Sequence, residues 1–568
     1  MHGFICNIAL NNKITPVDFK WKKPFPFQGA MIKREIIEKT FQSEQFTSEK
    51  FIQEKLWINN DDFMFISEGL IVNLDLLMNE YAAGNASELI YKLYRIDKRF
   101  FSKFDGSFAG VFYNKRENAW YAFNNHSGTK RLFFFKSSNH LLVATDLYTL
   151  VKALKELNYS ISADEQAAYL LLTSRIMFED MTLVSEVRQI RAGEFLSMAD
   201  GKISTDFYFH LSSINKIQHS KKVIIENLDE KFSQALKLQH EIDLKHNYSH
   251  LTTLSGGLDS RTELLCAYEY GFTNQTAFNF SHKGYADQLI SRQIADSVNI
   301  PLIQFTLQPE SLLPIDDVIA VNDGLIIYTG CFHIFSVLSE FDNQPFGAVH
   351  TGIMGDTIMG SSVTKDRNRI KNRLYTIQAV YPEQINYINN LLSHYKNEEL
   401  GLIYNLIFFG ESNGFLYFDL IGNTLSPFLN TAFMSYAYSI PDHLKYNRAL
   451  YIDWIKKFHP QAADFTWETQ ACKPTNNMFL RQFHRYKRAI VKRLPINSMW
   501  KNNLAPAQQW YDRNESIKNP IDRYFYENID RITNQRLKND VLNLYKEKDF
   551  DLKASCVTLV GAYKLLFD

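Results

Sequence analysis

Leu254-Ser255-Gly256-Gly257-Leu258-Asp259-Ser260 is the stretch whose reading decides the fold. An apolar, β-prone run from Tyr248 to Leu254 precedes it. A helical pattern follows, with Leu264, Leu265 and Tyr268 on one face and Thr262 and Glu263 in the first turn. A strand, a tight Gly-Gly turn and a helix N-terminus make an anion site. The glycines let the backbone approach a phosphate, and the free N–H groups of the first helical turn point at it. Asp259 offers a carboxylate for Mg²⁺ against such phosphates. No Gly-Lys-Ser/Thr follows, so this is not a Walker A loop.

Working outward, a helix is expected over Val223 to Leu238, apolar at 224, 228, 232 and 235. Downstream come a strand (Thr276 to Phe280), a helix (Asp287 to Val298) and a strand (Pro301 to Leu307). A further strand-like run, Gly347 to His350, leads into Thr351-Gly352-Ile353-Met354-Gly355-Asp356. Strands alternating with helices of this length predict a doubly wound parallel sheet. Ligands bind such sheets at the carboxyl ends of the strands, near a topological switch point. The Ser255 and Gly352 loops both occupy that kind of position. Residues from about 365 onward read mainly helical. Residues 1–205 differ: short strand-like runs recur at 4–10, 63–66, 108–113, 119–123, 132–135 and 141–144, with helical patterns at 74–81 and 87–93. Strands not separated by helices predict a layered antiparallel α+β domain. The polar stretch 206–222 reads as a linker, and 223–568 as the second domain.

A chain of 568 residues exceeds one ordinary core, and 45% hydrophobic residues suffice to bury a large one. Lys plus Arg equals Asp plus Glu at 62 each, which gives no global electrostatic reason for nucleic-acid binding. The five cysteines are widely spaced, with no CxxC or Cys/His cluster. Neither a disulfide framework nor a zinc site is therefore expected, and a cytoplasmic setting is. No apolar run reaches membrane-spanning length, and the N-terminus lacks a basic n-region and a cleavage site.

The Ser255 loop resembles the pyrophosphate loop of the ATP pyrophosphatases. With the second loop, the whole chain resembles the asparagine synthetase group, which includes β-lactam synthetase and the lasso-peptide cyclases. Glu68-Gly69-Leu70-Ile71-Val72-Asn73, Phe104-Asp105-Gly106-Ser107-Phe108-Ala109 and Asn125-His126-Ser127-Gly128 look like elements of a class II glutamine amidotransferase domain. Ser426-Pro427-Phe428-Leu429-Asn430 and Ser439-Ile440-Pro441 look like later elements of the group. The resemblance implies an Ntn-hydrolase-like N-terminal domain followed by an ATP-pyrophosphatase domain with a helical C-terminal part.

The departures restrict the chemistry. A class II glutaminase needs a cysteine at residue 2 with its own α-amino group as base. This chain has His2, and Glu68 stands where an amide would stabilise an oxyanion. Ala86 replaces the aspartate that holds glutamine. No glutamine hydrolysis is expected. His2 itself reads as an exposed or lightly packed terminal residue, and Cys6 as core.

The group's chemistry has two steps: a carboxylate attacks the α-phosphate of ATP, and an amine then displaces AMP. By resemblance, Leu254, Ser255, Gly256, Gly257 and Ser260 cradle pyrophosphate through N–H and hydroxyl donors. Asp259 and Asp356 hold Mg²⁺. Thr351 and Gly352 pack near the adenine or ribose, and Lys473 stabilises the transition states. Ile353 stands where the group has a Glu or Tyr that prepares the amine. The leading expectation is an AMP-forming amide ligase, with ATP and Mg²⁺, acting on a carboxylate-bearing small molecule or peptide. A lasso-cyclase-like role would add a precursor peptide and a protease partner. An ammonia-dependent asparagine synthetase and a nucleotide-binding scaffold are the alternatives.

Overall fold

A computed structural model describes residues 2–10, 13–199, 201–361, 363, 381–493 and 504–568. Met1 and parts of the stretch expected to be helical after 365 lie outside the described residues.

The first part is two antiparallel sheets. Its strands are β1 (Gly3–Ala9), β2 (Met31–Ile37), β3 (Phe41–Ser48), β4 (Trp57–Asn59), β5 (Phe63–Ile71), β6 (Gly106–Asn114), β7 (Ala119–Asn124), β8 (Phe133–Lys136), β9 (His140–Ala144), β10 (Val187–Gln189), β11 (Glu194–Ala199) and β12 (Lys202–Phe207). One sheet runs β10-β8-β9-β1-β3-β2, the other β12-β11-β7-β6-β5-β4. Phe4, Cys6 and Ile8 of β1 meet Met64, Ile66, Ala109 and Val111 of the facing sheet. Ile5, one residue out of phase, turns the other way onto Leu150 and Leu170. That period-2 alternation makes both sheets two-faced. Helices Leu74–Glu80 and Ala86–Ile96 cover the outer face of the second sheet, which gives helix–sheet–sheet–helix layering.

Half of these strands escape a hydrophobic pattern. In β3, Gln42, Ser43, Glu44 and Gln45 are all buried and polar. They are tolerated because they are paired: Gln42 with the Val17 backbone, Gln45 with the Ser67 carbonyl and Ser43 with Cys6.

The second part holds one parallel sheet: β13 (Ser249–Thr253), β14 (Gln275–His282), β15 (Leu302–Leu307), β16 (Phe346–His350) and β17 (Thr424–Leu425). The order is β15-β14-β13-β16-β17, every pair parallel. Ala277 packs with Ile290 of helix Ala286–Ser297, while neighbouring Phe278 belongs to the cluster of Phe335 and Phe341. Helices thus cover both faces. The chain builds outward from β13 through β14 to β15, then returns to the other side of β13 as β16. The switch point lies between β13 and β16, where ligand crevices open.

The stretch 206–222, expected as a linker, is packed. It contains the end of β12 and a short 3₁₀ turn, Leu211–Ser213, and the buried Leu211 donates its N–H to the Tyr404 hydroxyl (3.0 Å). Nor does each part close its own core. The N-terminal helix Glu165–Ser174 packs against the C-terminal helix Phe550–Phe567, and one apolar cluster runs from Ile5 through Leu170 to Val557. Helix Met478–Arg493 is the exception to this burial, since its stripe of Phe479, Phe483, Tyr486 and Ile490 is exposed.

Buried charge also ties the two parts. Lys22 Nζ reaches Asp146 Oδ2 (2.8 Å), Asp323 Oδ1 (2.5 Å) and the Ala320 carbonyl (2.7 Å). Replacing Lys22 by Met leaves two carboxylates facing each other without their cation. Breaking a buried pair costs about 3–5 kcal/mol, so urea denaturation of Lys22→Met should show a loss of that order. A loss below about 1 kcal/mol would mean the triad contributes little.

Candidate active site

The first loop leaves β13 through Leu254, whose N–H donates to the Phe278 carbonyl (2.8 Å). Its shape is held by its own hydroxyls. Ser255 N–H donates to Ser260 Oγ (2.9 Å), the two hydroxyls meet at 2.9 Å, and Gly257 N–H donates to Ser255 Oγ (3.1 Å). Gly256 N–H donates to the Asp287 carboxylate. Arg261 clamps the loop from beneath, donating to the carbonyls of Gly257, Gly256, Phe465 and Thr466 at 2.6–2.9 Å. The N–H groups of Ser255, Gly256 and Gly257, expected as phosphate donors, are therefore spent inside the loop. The donors left for an anion are those of the first turn of helix Leu258–Glu269, which have no carbonyl within the helix to reach.

The second loop follows β16 and abuts the first. Thr253 Oγ1 donates to Thr351 Oγ1 (3.0 Å) across the adjacent strands. A Cβ on Gly352 would lie 2.5 Å from the backbone of Asp259 and Ser260, and one on Gly355 would lie 2.8 Å from the Asp259 carboxyl carbon. The loops can touch only because both positions lack a side chain. Asp259 is the joint. Its Oδ2 accepts the Asp356 N–H (2.8 Å) and its Oδ1 accepts the Tyr451 hydroxyl (2.8 Å). Burial, and then the nearby Asp356 charge, push the Asp259 carboxyl up to about 7. Asp356 is held by Arg448 (2.8 Å).

These loops open on a cavity of about 740 Å³. Of the residues singled out by sequence, Leu254, Ser255, Gly257, Asp259, Ser260, Thr351 and Gly352 line it. Gly256, Asp356 and Lys473 do not. Gly256 sits under Glu468, which a Cβ would meet at 2.9 Å. Asp356 donates its N–H to Asp259 and turns its partly exposed carboxylate to Arg448. Lys473 is on the surface, paired with Asp464 (2.8 Å), because the loop that carries it turns outward after the Trp467–Cys472 bridge. Ile353 contributes an apolar side chain to the wall.

Several wall residues carry chemistry that the motifs did not show. Asp287 binds the Gly256 N–H and Asn279 (2.6 Å), and burial raises its carboxyl to about 6. An acid in the first turn after a parallel strand was the available signal for it. Arg175 enters from the N-terminal part at a left-handed helix C-cap, φ 66°, and nothing in the sequence connects it to this cavity. His333 comes from the segment between β15 and β16, and Glu411 from that between β16 and β17.

The N-terminal part holds no nucleophile in the expected place. His2 is largely buried, against the expectation of a lightly packed terminus, and lies 3.9 Å from Glu68. Burial, together with Lys130 and Lys55, keeps its imidazole well below the usual range. Glu68 is buried against Gln45, Thr47 and Lys55. Cys6 is core, its thiol pushed up to about 12 by burial. Asn430 donates to Asp105 across the two parts and caps helix Thr431–Ser439. An aspartate at 430 would set two carboxylates against each other.

Beneath the first loop, Glu263 is fully buried and neither carboxyl oxygen has a hydrogen-bond partner. The neighbouring Thr351 N–H donates to Leu425 O (3.0 Å) instead. Burial, then the Asp259 charge, hold its carboxyl well above the usual range. Such an acid favours the fold below its unfolded pKa, and the benefit is lost as pH rises toward the folded value. Glu263→Gln should therefore gain on the unaltered chain at neutral pH, by about 1 kcal/mol or more, with the difference vanishing below about pH 4. Melting curves across that range read it, and a constant difference would refute it.

Residues 56–209 match the family model described as a glutamine amidotransferase domain. A curated relative, asparagine synthetase (glutamine-hydrolyzing) 1 of Bacillus subtilis (strain 168), is 21% identical over 353 residues, which cover 58% of this chain and 54% of that one. The chain thus spans about half the length of that relative. Two solved structures match more loosely. One is described as the allosteric regulatory enzyme of purine biosynthesis, with TM-score 0.22, 11% identity, 47% of this chain and 52% of that one. The other is the B. subtilis glutamine phosphoribosylpyrophosphate amidotransferase complexed with ADP and GMP, with TM-score 0.22, 10% identity, 65% of this chain and 84% of that one. At those scores neither bears on the site. The matched domain and the curated relative support an asparagine synthetase-like, class II amidotransferase kinship for this chain.

Proposed function

We propose that this chain is an AMP-forming amide ligase that does not hydrolyse glutamine. One observation carries the reading: two loops joined at Asp259 open together on a 740 Å³ cavity at the switch point of a parallel sheet. That volume falls within the roughly 300–1,000 Å³ of small-molecule sites. Ser255, Ser260 and the first-turn N–H groups would bind the leaving pyrophosphate, with Thr351 and Gly352 beside the nucleoside. Asp259 and Asp356 would hold a divalent cation: burial and then the Asp356 charge raise Asp259, and a positive ion would relieve both. Bound Mg²⁺ would supply charge neutralisation on phosphate oxygens.

A substrate carboxylate oxygen attacks the α-phosphorus, and pyrophosphate leaves with the bridging electron pair. An amine nitrogen then attacks the acyl carbon, and AMP leaves. Ile353 cannot take the amine's proton. Glu411 and His333 are wall groups able to accept it, His333 as the poorer base because burial lowers its imidazole to about 4. Arg175 lines the wall with its guanidinium paired to Asp551 (2.9 Å). Lys473 would serve only if the loop following Trp467 turned inward.

Ile176, Phe280, Ile327, Ile334 and Leu406 make much of the cavity apolar. This favours a bulky acyl group, as in peptide tailoring of the lasso-cyclase kind with a precursor peptide and protease partner, over aspartate. The second reading is an ammonia-dependent asparagine synthetase: the B. subtilis relative, named a glutamine-hydrolyzing asparagine synthetase, favours the synthetase part, and His2 in place of a cysteine favours ammonia over glutamine. A nucleotide-binding scaffold would bind ATP without turning it over.

Incubation with ATP, Mg²⁺ and candidate carboxylates should release AMP and pyrophosphate, and Asp259→Ala should lower the rate by about 100-fold or more. Release of ADP, or an unimpaired Asp259→Ala, would sink the proposal. Asparagine formed from aspartate and ammonium would select the second reading. His2→Cys alone should yield no glutamate from glutamine, because Glu68 still opposes an oxyanion.

A further inference from the structure

Outside the cavity, three histidines converge in the core. His240 lies on helix Lys221–Lys245, His250 on β13 and His350 on β16, and all three are fully buried. The register pairs His350 with Thr252, and Thr252 shares a sheet face with His250. Both rings therefore leave the face on which the helix packs.

One nitrogen of each ring is accounted for. His240 Nδ1 donates to the Leu236 carbonyl (3.0 Å). His250 Nδ1 (2.9 Å) and His350 Nε2 (2.7 Å) both donate to Asp243 Oδ2, whose carboxylate also accepts the Ala348 N–H (2.7 Å). Those bonds place the protons and leave lone pairs on His240 Nε2, His250 Nε2 and His350 Nδ1. These three atoms are buried with no hydrogen-bond partner. One nitrogen from each of the three rings lies within 4.8 Å of one from each of the others. Burial holds His240 and His350 below the usual imidazole value, so these rings are neutral donors.

Three orphaned lone pairs gathered in one cluster are costly to bury. A carboxylate or carbonyl on the far nitrogen of each ring is the arrangement that orients metal-bound histidine. We infer that His240, His250 and His350 form a buried site for a divalent transition metal, zinc first among those that imidazole suits.

Binding makes a geometric demand. The His240 and His350 rings stack at 3.8 Å with planes 17° apart. Lone pairs lie in the ring planes, so these two rings must splay to meet one ion at about 2.1 Å. His250 already crosses them at 57° and 74°. The ion would staple the helix to the two strands that carry the active-site loops, since His350 directly precedes Thr351 and His250 lies in the strand leading to Ser255. The other His-containing cluster, Cys266, Glu269 and His459, does not compete. Both His459 nitrogens are taken, by Glu269 (2.9 Å) and Asp229 (2.8 Å).

The test uses the full chain without nucleotide or Mg²⁺, so it stands apart from the proposed ligase activity. Elemental analysis after equilibration with Zn²⁺ and desalting should find about one ion per chain. Cobalt exchanged into the site should give the visible d–d bands of a tetrahedral centre. His240→Phe, whose ring can pack on Phe272, should lose metal and bands, and His459→Gln should keep both. Zn²⁺ should also raise the melting temperature of the unaltered chain, a readout that stands even if His240→Phe does not fold. No stoichiometric metal with no shift in melting temperature overturns the inference, and so does full metal retention in folded His240→Phe.

Discussion

The architecture turns on the contact between Gly352 and the Asp259 backbone. Two loops from adjacent parallel strands meet there at a distance no Cβ would allow. Once they meet, Asp259 accepts the Asp356 N–H and the Tyr451 hydroxyl, and the cavity acquires a floor. The strand order makes the meeting possible. Only β13 and β16 flank the switch point, so only their carboxyl ends diverge to leave a crevice between loops that still touch at the base.

The same contact explains the buried charges nearby. Asp259, Asp287 and Glu263 all have raised carboxyls, and burial is the first cause in each. Burying acids around one loop costs stability, and perturbed carboxyls concentrate where proteins do chemistry. Arg261 offsets part of that cost by tying the carbonyls of the loop and of Phe465 and Thr466. The N-terminal part offers the contrast. Its buried Glu68 has hydrogen-bonding partners in Gln45 and Thr47, so it packs as structure beside a histidine that cannot become a thioester.

The two parts work as one folded unit. Arg175 reaches the cavity from the N-terminal half, Lys130 pairs with Asp419 at 2.6 Å, and Lys22 bridges Asp146 and Asp323. A helix layer shared by Glu165–Ser174 and Phe550–Phe567 closes the core between them. Removing the N-terminal part would therefore expose a face of the remaining core.

What the sequence by itself determined was local. Apolar, strand-like runs placed β1, β5, β6, β13 and β16, and the glycines of the two loops marked where backbone approaches closely. Polar β3 escaped because its glutamines and Glu44 are compatible with burial only through partners distant in sequence. Arg175, His333 and the meeting of His350 with His240 and His250 were invisible because a contact between residues a hundred positions apart leaves no periodicity, while Asp287 offered only its place in the first helical turn after a strand. Tertiary structure alone decided that Lys473 pairs with Asp464 at the surface while Arg175 joins the cavity lining, since where a residue ends up depends on the turn beneath it and not on the motif around it.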